Sequence, residues 1–156
     1  MPAGLLRGAA AGAAGTTVLN AVTYLDMAVR GRPTSSTPEQ LVETVTEKAG
    51  VPVPGDDDKR QNRLQGLGPL SGIAVGVAVG AVAGLVDHLL GRGGPQLPAP
   101  VAVVAIGAAA MALSDVPLKA FGISDPKTWA AKDWAADVVP HLAYGAATYA
   151  SIRSAR

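Results

Sequence analysis

Cysteine is absent from the 156 residues, and so are the short motifs that mark the common enzyme classes. Without a thiol the chain forms no disulfide, carries no cysteine nucleophile and offers no thiolate to a metal. It also lacks a phosphate-binding GxxxxGK(S/T), HExxH, GxSxG and a dinucleotide-binding GxGxxG that follows a strand. The sequence therefore predicts a protein that is not an enzyme and binds no cofactor.

Charged residues are also scarce, at 16% of the chain, against roughly 25% in typical soluble domains. A net charge of +1 provides no basic surface for nucleic acid, so no nucleic-acid partner is expected. Four uncharged runs remain, at residues 8–25, 64–86, 93–114 and, interrupted by a proline and a histidine, 138–152. The 23 residues of run 64–86 would form a helix about 35 Å long, enough to cross a hydrocarbon core of about 30 Å.

These runs predict an all-α integral membrane protein, a single four-helix transmembrane domain over residues 1–156. The membrane helices are expected at about residues 4–29, 64–90, 98–118 and 134–152. The alternative is a soluble alanine-rich helical bundle, but buried core helices seldom need uncharged runs beyond about 18 residues. Arg7 interrupts the first apolar stretch, which favours an uncleaved membrane helix over a secretory signal peptide.

The distribution of lysine and arginine predicts the orientation. Nine of the 13 basic residues fall in two long loops, 30–63 and 119–133: Arg30, Arg32, Lys48, Lys59, Arg60, Arg63, Lys119, Lys127 and Lys132. The other four are Arg7, Arg92, Arg153 and Arg156. The positive-inside rule then places both long loops in the cytoplasm and both termini outside, although the three terminal arginines oppose this orientation. Trp129 and Trp134 are expected at the cytoplasmic interface, as an aromatic belt.

The first long loop is predicted to contain a short amphipathic helix at about residues 38–49. Thr37 suits the N-cap, Pro38 the first helical position and Gln40 the third, while Gly50 is a natural stop. One face of this helix is acidic, and anionic lipid headgroups would repel it. We therefore expect the helix to pack against protein.

Glycines recur every four residues in two of the predicted helices. The set comprises Gly4, Gly8 and Gly12 in the first helix and Gly68, Gly72, Gly76, Gly80 and Gly84 in the second. Glycine is a poor helix former in water, but in lipid it allows two helix backbones to approach closely. The pattern predicts that these two helices are packed together along their glycines. The alternative is that the glycines drive self-association into a homo-oligomer or a pore.

The last helix has a polar face whose side chains could bind a proton or an ion. Asp133, Asp137 and His141 share that face, and Asp115 ends the preceding helix near the same boundary. Ionisable groups at membrane depth usually face protein or water, so these four residues are a candidate proton or ion site. They suit a proton-responsive pair or a divalent cation. The alternative is an interfacial first turn favoured by the helix dipole, with His141 bonded to a neighbouring helix.

Two segments resemble a known family. GRPTSSTPEQLVE follows the first helix, and DWAADVVPHLAYGAATYASIR closes the chain. Both are similar to small multi-pass inner-membrane proteins of bacteria of the YagU-like kind, although the long acidic loop departs from that pattern. The resemblance implies a bacterial plasma-membrane protein whose biochemical role is not assigned.

The sequence thus favours a non-enzymatic integral membrane protein. Its role would be that of a small structural or accessory subunit, with the lipid bilayer as its surroundings and a larger membrane complex or a second copy as its partner. The alternative is a small proton- or cation-linked transporter or channel that uses the polar face of the last helix.

Overall fold

The computed structural model describes residues 2–91 and 97–155. They form five α-helices, α1 Pro2–Arg30, α2 Thr37–Lys48, α3 Asp57–Leu90, α4 Ala99–Ala120 and α5 Ala131–Ser154, and one 3₁₀ turn, Pro126–Thr128. No strand occurs within these described ranges. The all-helical prediction is confirmed.

α3 begins at Asp57, seven residues before the predicted start at residue 64. The reason is the side chain of Asp56, which caps the helix by accepting the backbone N–H of Lys59 at 3.0 Å. The Lys59 ammonium donates to the same carboxylate, and this hydrogen bond holds the pKa of Asp56 below its ordinary value. An uncharged run marks only the apolar part of a helix, so it does not reveal the charged first turns at residues 57–63.

The other helix starts also differ by a few residues. α2 begins at Thr37, so the N-cap is Ser36 rather than the predicted Thr37, and Gly50 follows the helix with a φ of +74°. α5 begins at Ala131, where the Asp133 carboxylate accepts the Ala130 N–H at 3.0 Å. Some predicted features fall outside the described residues, namely Arg92, Arg156 and residues 93–96.

The four long helices pack in the order α1, α3, α4, α5, with α5 returning to α1. The contact between α3 and α4 is the least extensive of these four. Tyr144 of α5 lies at the centre, fully buried, and its hydroxyl donates to the Gly76 carbonyl oxygen of α3 at 2.5 Å. Val79 and Ala110 complete the buried cluster around this ring. Leu19 of α1 also packs against this cluster, so one aromatic side chain lies where all four long helices meet.

α1 and α3 approach each other backbone to backbone. A Cβ atom on Gly80 would lie 2.5 Å from the Gly8 carbonyl oxygen, and one on Gly84 would lie 2.6 Å from the Gly4 carbonyl oxygen. A Cβ on Gly12 would likewise lie 2.5 Å from the Gly76 carbonyl oxygen. These separations leave no room for any side chain larger than hydrogen.

Two glycines of the same series lie elsewhere. Gly68 faces α2, where a Cβ would meet the backbone nitrogen of Glu39 at 3.0 Å, and no described atom lies within 4 Å of a Cβ on Gly72. The four-residue series is therefore divided between two partner helices and open space.

α2 packs against the first turns of α3. The Arg60 guanidinium of α3 forms ion pairs with Glu43 and Glu47 of α2. At the end of α2 the Lys48 ammonium lies 5.9 Å from the ring centroid of Phe121, which follows α4. The two long loops consequently meet at one end of the molecule.

α3 and α4 are the two described helices that are long and apolar enough to cross a membrane. α1 and α5 do not meet that standard, although membrane helices were predicted at both. In the uncharged run of α1, residues 8–25, eight of the 18 residues are glycine, threonine, asparagine or tyrosine, which lower its hydropathy. α5 is interrupted by Asp137, Pro140 and His141.

The close approach of α1 and α3 generates a paired test. Gly80→Ala places a methyl group against backbone atoms, and overpacking of this kind costs about 1–3 kcal/mol. Gly72→Ala adds the same methyl in open space, where an alanine for a helical glycine gains roughly 0.5–1 kcal/mol. Unfolding titrations of the two detergent-solubilised variants, followed by circular dichroism, should give free-energy changes of opposite sign. Equal changes would contradict the packing of α1 on α3.

Candidate functional site

A second backbone contact places α5 against α4. A Cβ on Gly107 of α4 would lie 2.6 Å from the His141 carbonyl oxygen, and a Cβ on Gly145 of α5 would lie 2.9 Å from the Gly107 nitrogen. The two helices therefore touch within one turn of His141. A polar side chain near this point therefore lies close to the polar groups of the neighbouring helix.

Asp115, Asp137 and His141 meet at this contact and form what we term the acid–histidine cluster. The Asp115 carboxyl of α4 is within hydrogen-bonding reach of the Asp137 carboxyl of α5 and interacts electrostatically with His141. The His141 Nδ1 atom lies 3.2 Å from Oδ1 of Asp137. The side chains of Asp137 and His141 are only 20% and 13% exposed. Three of the four residues predicted for a proton or ion site are thus neighbours.

Asp133 does not join them. It is exposed, and its carboxylate is bonded to the backbone of Ala130 at the start of α5. Asp133 thus caps the first turn of α5, as the alternative expects, whereas Asp137 does not. Asp87 and His88 lie near the end of α3, where the side chain of His88 packs over Gly4.

The backbone fixes the tautomer of His141. Its Nδ1 atom lies 2.8 Å from the backbone carbonyl oxygen of Asp137, one turn earlier on α5. A carbonyl oxygen only accepts hydrogen bonds, so Nδ1 carries the proton. In the neutral ring Nε2 is therefore the atom that takes up a further proton.

One carboxylate oxygen of the cluster lacks a donor. Oδ2 of Asp137 is buried and receives no hydrogen bond from any group in residues 2–91 or 97–155. Its neighbour Asp115 is itself a carboxyl, and two carboxylates cannot satisfy each other unless one of them holds a proton. In the same ranges no three His, Cys, Asp or Glu residues are arranged to hold a metal ion. The arrangement fits the binding of a proton.

An apolar groove forms the other concave feature. It has a volume of about 400 Å³ and is lined by α3, α4 and α5. Val82 and Val86 of α3 face Ile106 and Leu113 of α4 across it, and Asp87 and Arg153 stand at one end. Apart from these two residues and Tyr149, its lining is apolar.

Sequence reasoning missed Gly107 and Gly145, the glycines that bring the cluster together. Gly145 stands on the same four-residue series as Asp137 and His141, which was a usable signal. Its partner Gly107 lies on another helix, and only the packing of α4 on α5 reveals it.

The tautomer of His141 is open to direct measurement. The chain contains two histidines, so His88→Gln leaves His141 as the single imidazole. Nitrogen NMR of ¹⁵N-histidine-labelled protein should show, in the neutral ring, a protonated Nδ1 and an unprotonated Nε2. The opposite tautomer would contradict the bond to the Asp137 carbonyl. Because most free histidines favour a proton on Nε2, the expected result differs from that of an unconstrained ring.

Comparison with known proteins identifies no relative. No protein-family model, no curated protein and no solved structure matches the chain. Any proposal about its function therefore rests on its own residues and their geometry.

Proposed function

We propose that the chain is a non-enzymatic integral membrane protein, a small structural or accessory subunit of the bacterial plasma membrane. The observation that carries the proposal is the outward placement of its apolar side chains. Within the most apolar windows of α3 and α4 only 22% and 17% of the residues are buried inside the molecule. The core helix of a soluble protein would be mostly buried, whereas a helix in lipid exposes its apolar surface to the acyl chains.

The glycine contacts support the same proposal. Burial of apolar area provides little drive between helices in lipid, because the acyl chains are as apolar as leucine. Close backbone contacts then supply the van der Waals and Cα hydrogen-bond interactions that hold helices together. The contact of α1 with α3 would serve this purpose, so that α1 and α5, less apolar than α3 and α4, complete a four-helix membrane domain.

The ends of the helices support an orientation with the two long loops on one side. The cation–π contact of Lys48 with Phe121 brings loops 30–63 and 119–133 together. α3 contains 34 residues, a length of about 51 Å, so its charged first turns extend beyond a hydrocarbon core of about 30 Å. α2 packs on these turns. The nine basic residues of the two loops favour a cytoplasmic location for this end.

Accessibility to thiol reagents tests the membrane assignment. The native chain has no cysteine, so one introduced thiol is the only reactive group. Val51, Val82 and Val104 are similarly exposed, at 66%, 59% and 54%, but only Val51 lies in a loop. In native membranes a water-soluble maleimide should label Val51→Cys and leave Val82→Cys and Val104→Cys unlabelled until the protein is denatured. Equal labelling of all three would show that water covers α3 and α4, and the proposal would fail.

A proton- or cation-linked transporter or channel is the second candidate function. The specific observation in its favour is the meeting of Asp115, Asp137 and His141 between two helices. Ionisable groups at membrane depth are expensive, and in transporters they bind the coupling ion. The cluster is partly buried, and the apolar groove beside α4 contains no polar path to it. We therefore place transport second.

Reconstitution separates the two functions. Liposomes that contain the purified protein and an enclosed pH-sensitive dye should dissipate an imposed pH gradient no faster than protein-free liposomes. Transport would instead give faster dissipation that His141→Gln and Asp115→Asn abolish while Asp58→Asn, an exposed carboxylate on the first turn of α3, leaves it intact. That result would replace the structural role with the second candidate.

A further inference from the structure

α4 depends on α5 for its position. Its contact with α5 is more extensive than its contact with α3. The apolar groove lies beside α3 and α4. The contact with α5 includes two close backbone approaches, Gly107 against the His141 carbonyl and Gly145 against the Val103 carbonyl. The acid–histidine cluster lies at the same contact, so its charge acts directly on the packing of α4.

The charge of the cluster is set by the protons that it holds. The cluster is neutral when the two carboxyls share one proton and the imidazole, which already has its Nδ1 proton, holds a second one on Nε2. Loss of one proton leaves a net charge of −1, and loss of both leaves two carboxylates side by side with a charge of −2. Two partly buried carboxylates repel strongly because little water screens them.

Several cations on the neighbouring helices are paired with other groups, among them Arg60 of α3, which binds Glu43 and Glu47 of α2. The charged groups that act on Asp115 are Asp137 and His141. On α4 the next cation is Lys119, which lies 3.5 Å from the carboxylate of Asp125. On α1, which also packs against α5, the Asp26 carboxylate binds both Arg30 and Arg32. α2 approaches α4 through Lys48, which lies over Phe121.

We propose that Asp115, Asp137 and His141 form a proton-binding site whose occupancy controls the packing of α4 on α5. With a proton between the two carboxyls, one donates to the other and α4 stays on α5. As the pH rises the shared proton leaves, the carboxylates repel, and α4 moves outward and widens the apolar groove. The proposal goes beyond the structural role of the chain and does not require that the chain transports anything.

The movement of α4 can be measured against α1, which lies across the molecule. Val18 of α1 and Val104 of α4 are both exposed and suit spin labels in this cysteine-free chain. Pulsed electron paramagnetic resonance on full-length Val18→Cys/Val104→Cys protein in lipid nanodiscs should give a distance distribution that shifts reversibly to longer distances between about pH 5 and 9, the range around ordinary histidine titration. An unchanged distribution over this range would overturn the proposal.

Two further variants link the shift to the cluster. Asp115→Asn keeps a donor for the Asp137 carboxylate but cannot ionise, so it should hold the low-pH distribution at every pH. Asp58→Asn removes an exposed carboxylate at the start of α3 and should shift as the parent does. His141→Gln retains the carboxyl pair, so the shift should persist with a less steep pH dependence, because one titrating group is lost.

Circular dichroism of each variant confirms that it is folded before its distances are compared. A pH-dependent shift that survives in folded Asp115→Asn would assign the movement to other groups and overturn the proposal. The thiol-labelling test of membrane insertion does not depend on this outcome. If the distance measurement rules out the proton-binding site, the membrane assignment is unaffected. If the membrane assignment is wrong, the thiol labelling detects it.

Discussion

Backbone contact at glycine is the interaction on which the other features of this molecule depend. Where α1 meets α3, and again where α4 meets α5, no side chain separates the two helices. The larger apolar side chains are consequently displaced to the outer surface, for example Val82, Val104 and Leu113. The same closeness brings the Asp115 carboxyl of α4 against Asp137 and His141 of α5. An exposed apolar surface and a compact polar cluster thus have one structural cause.

Much of the helical content was predictable, because uncharged runs and capping residues are local signals. The glycine series was predictable as a pattern but not as a single contact surface. A four-residue step exceeds one α-helical turn by 0.4 residue, which rotates each successive glycine by about 40°. Over the five positions from Gly68 to Gly84 the series turns by roughly 160°. Gly68 therefore faces α2 and Gly72 faces open space, while Gly80 and Gly84 face α1.

The candidate site shows the same division between local and distant information. The spacing of Asp137 and His141 predicts that they share a face of α5. The structure adds that Asp133, one turn earlier, caps the start of α5 through the Ala130 N–H. The partner carboxyl of Asp115 and the contact of Gly107 with Gly145 join residues that are far apart in the sequence. Such pairs depend on which helices become neighbours, and no periodicity within one helix contains that information.

The contact of α1 with α3 inside one chain is the central claim, and solid-state NMR in lipid bilayers tests it most directly. In ¹³C-glycine-labelled protein, with assignment by Gly12→Ala and Gly80→Ala, a strong short-range correlation should join the Cα atoms of Gly12 and Gly80. Dilution of the labelled protein into unlabelled protein should leave that correlation unchanged if the contact is intramolecular. Loss of the correlation on dilution would show that the glycines join two copies of the chain, and its absence at every dilution would contradict the contact altogether.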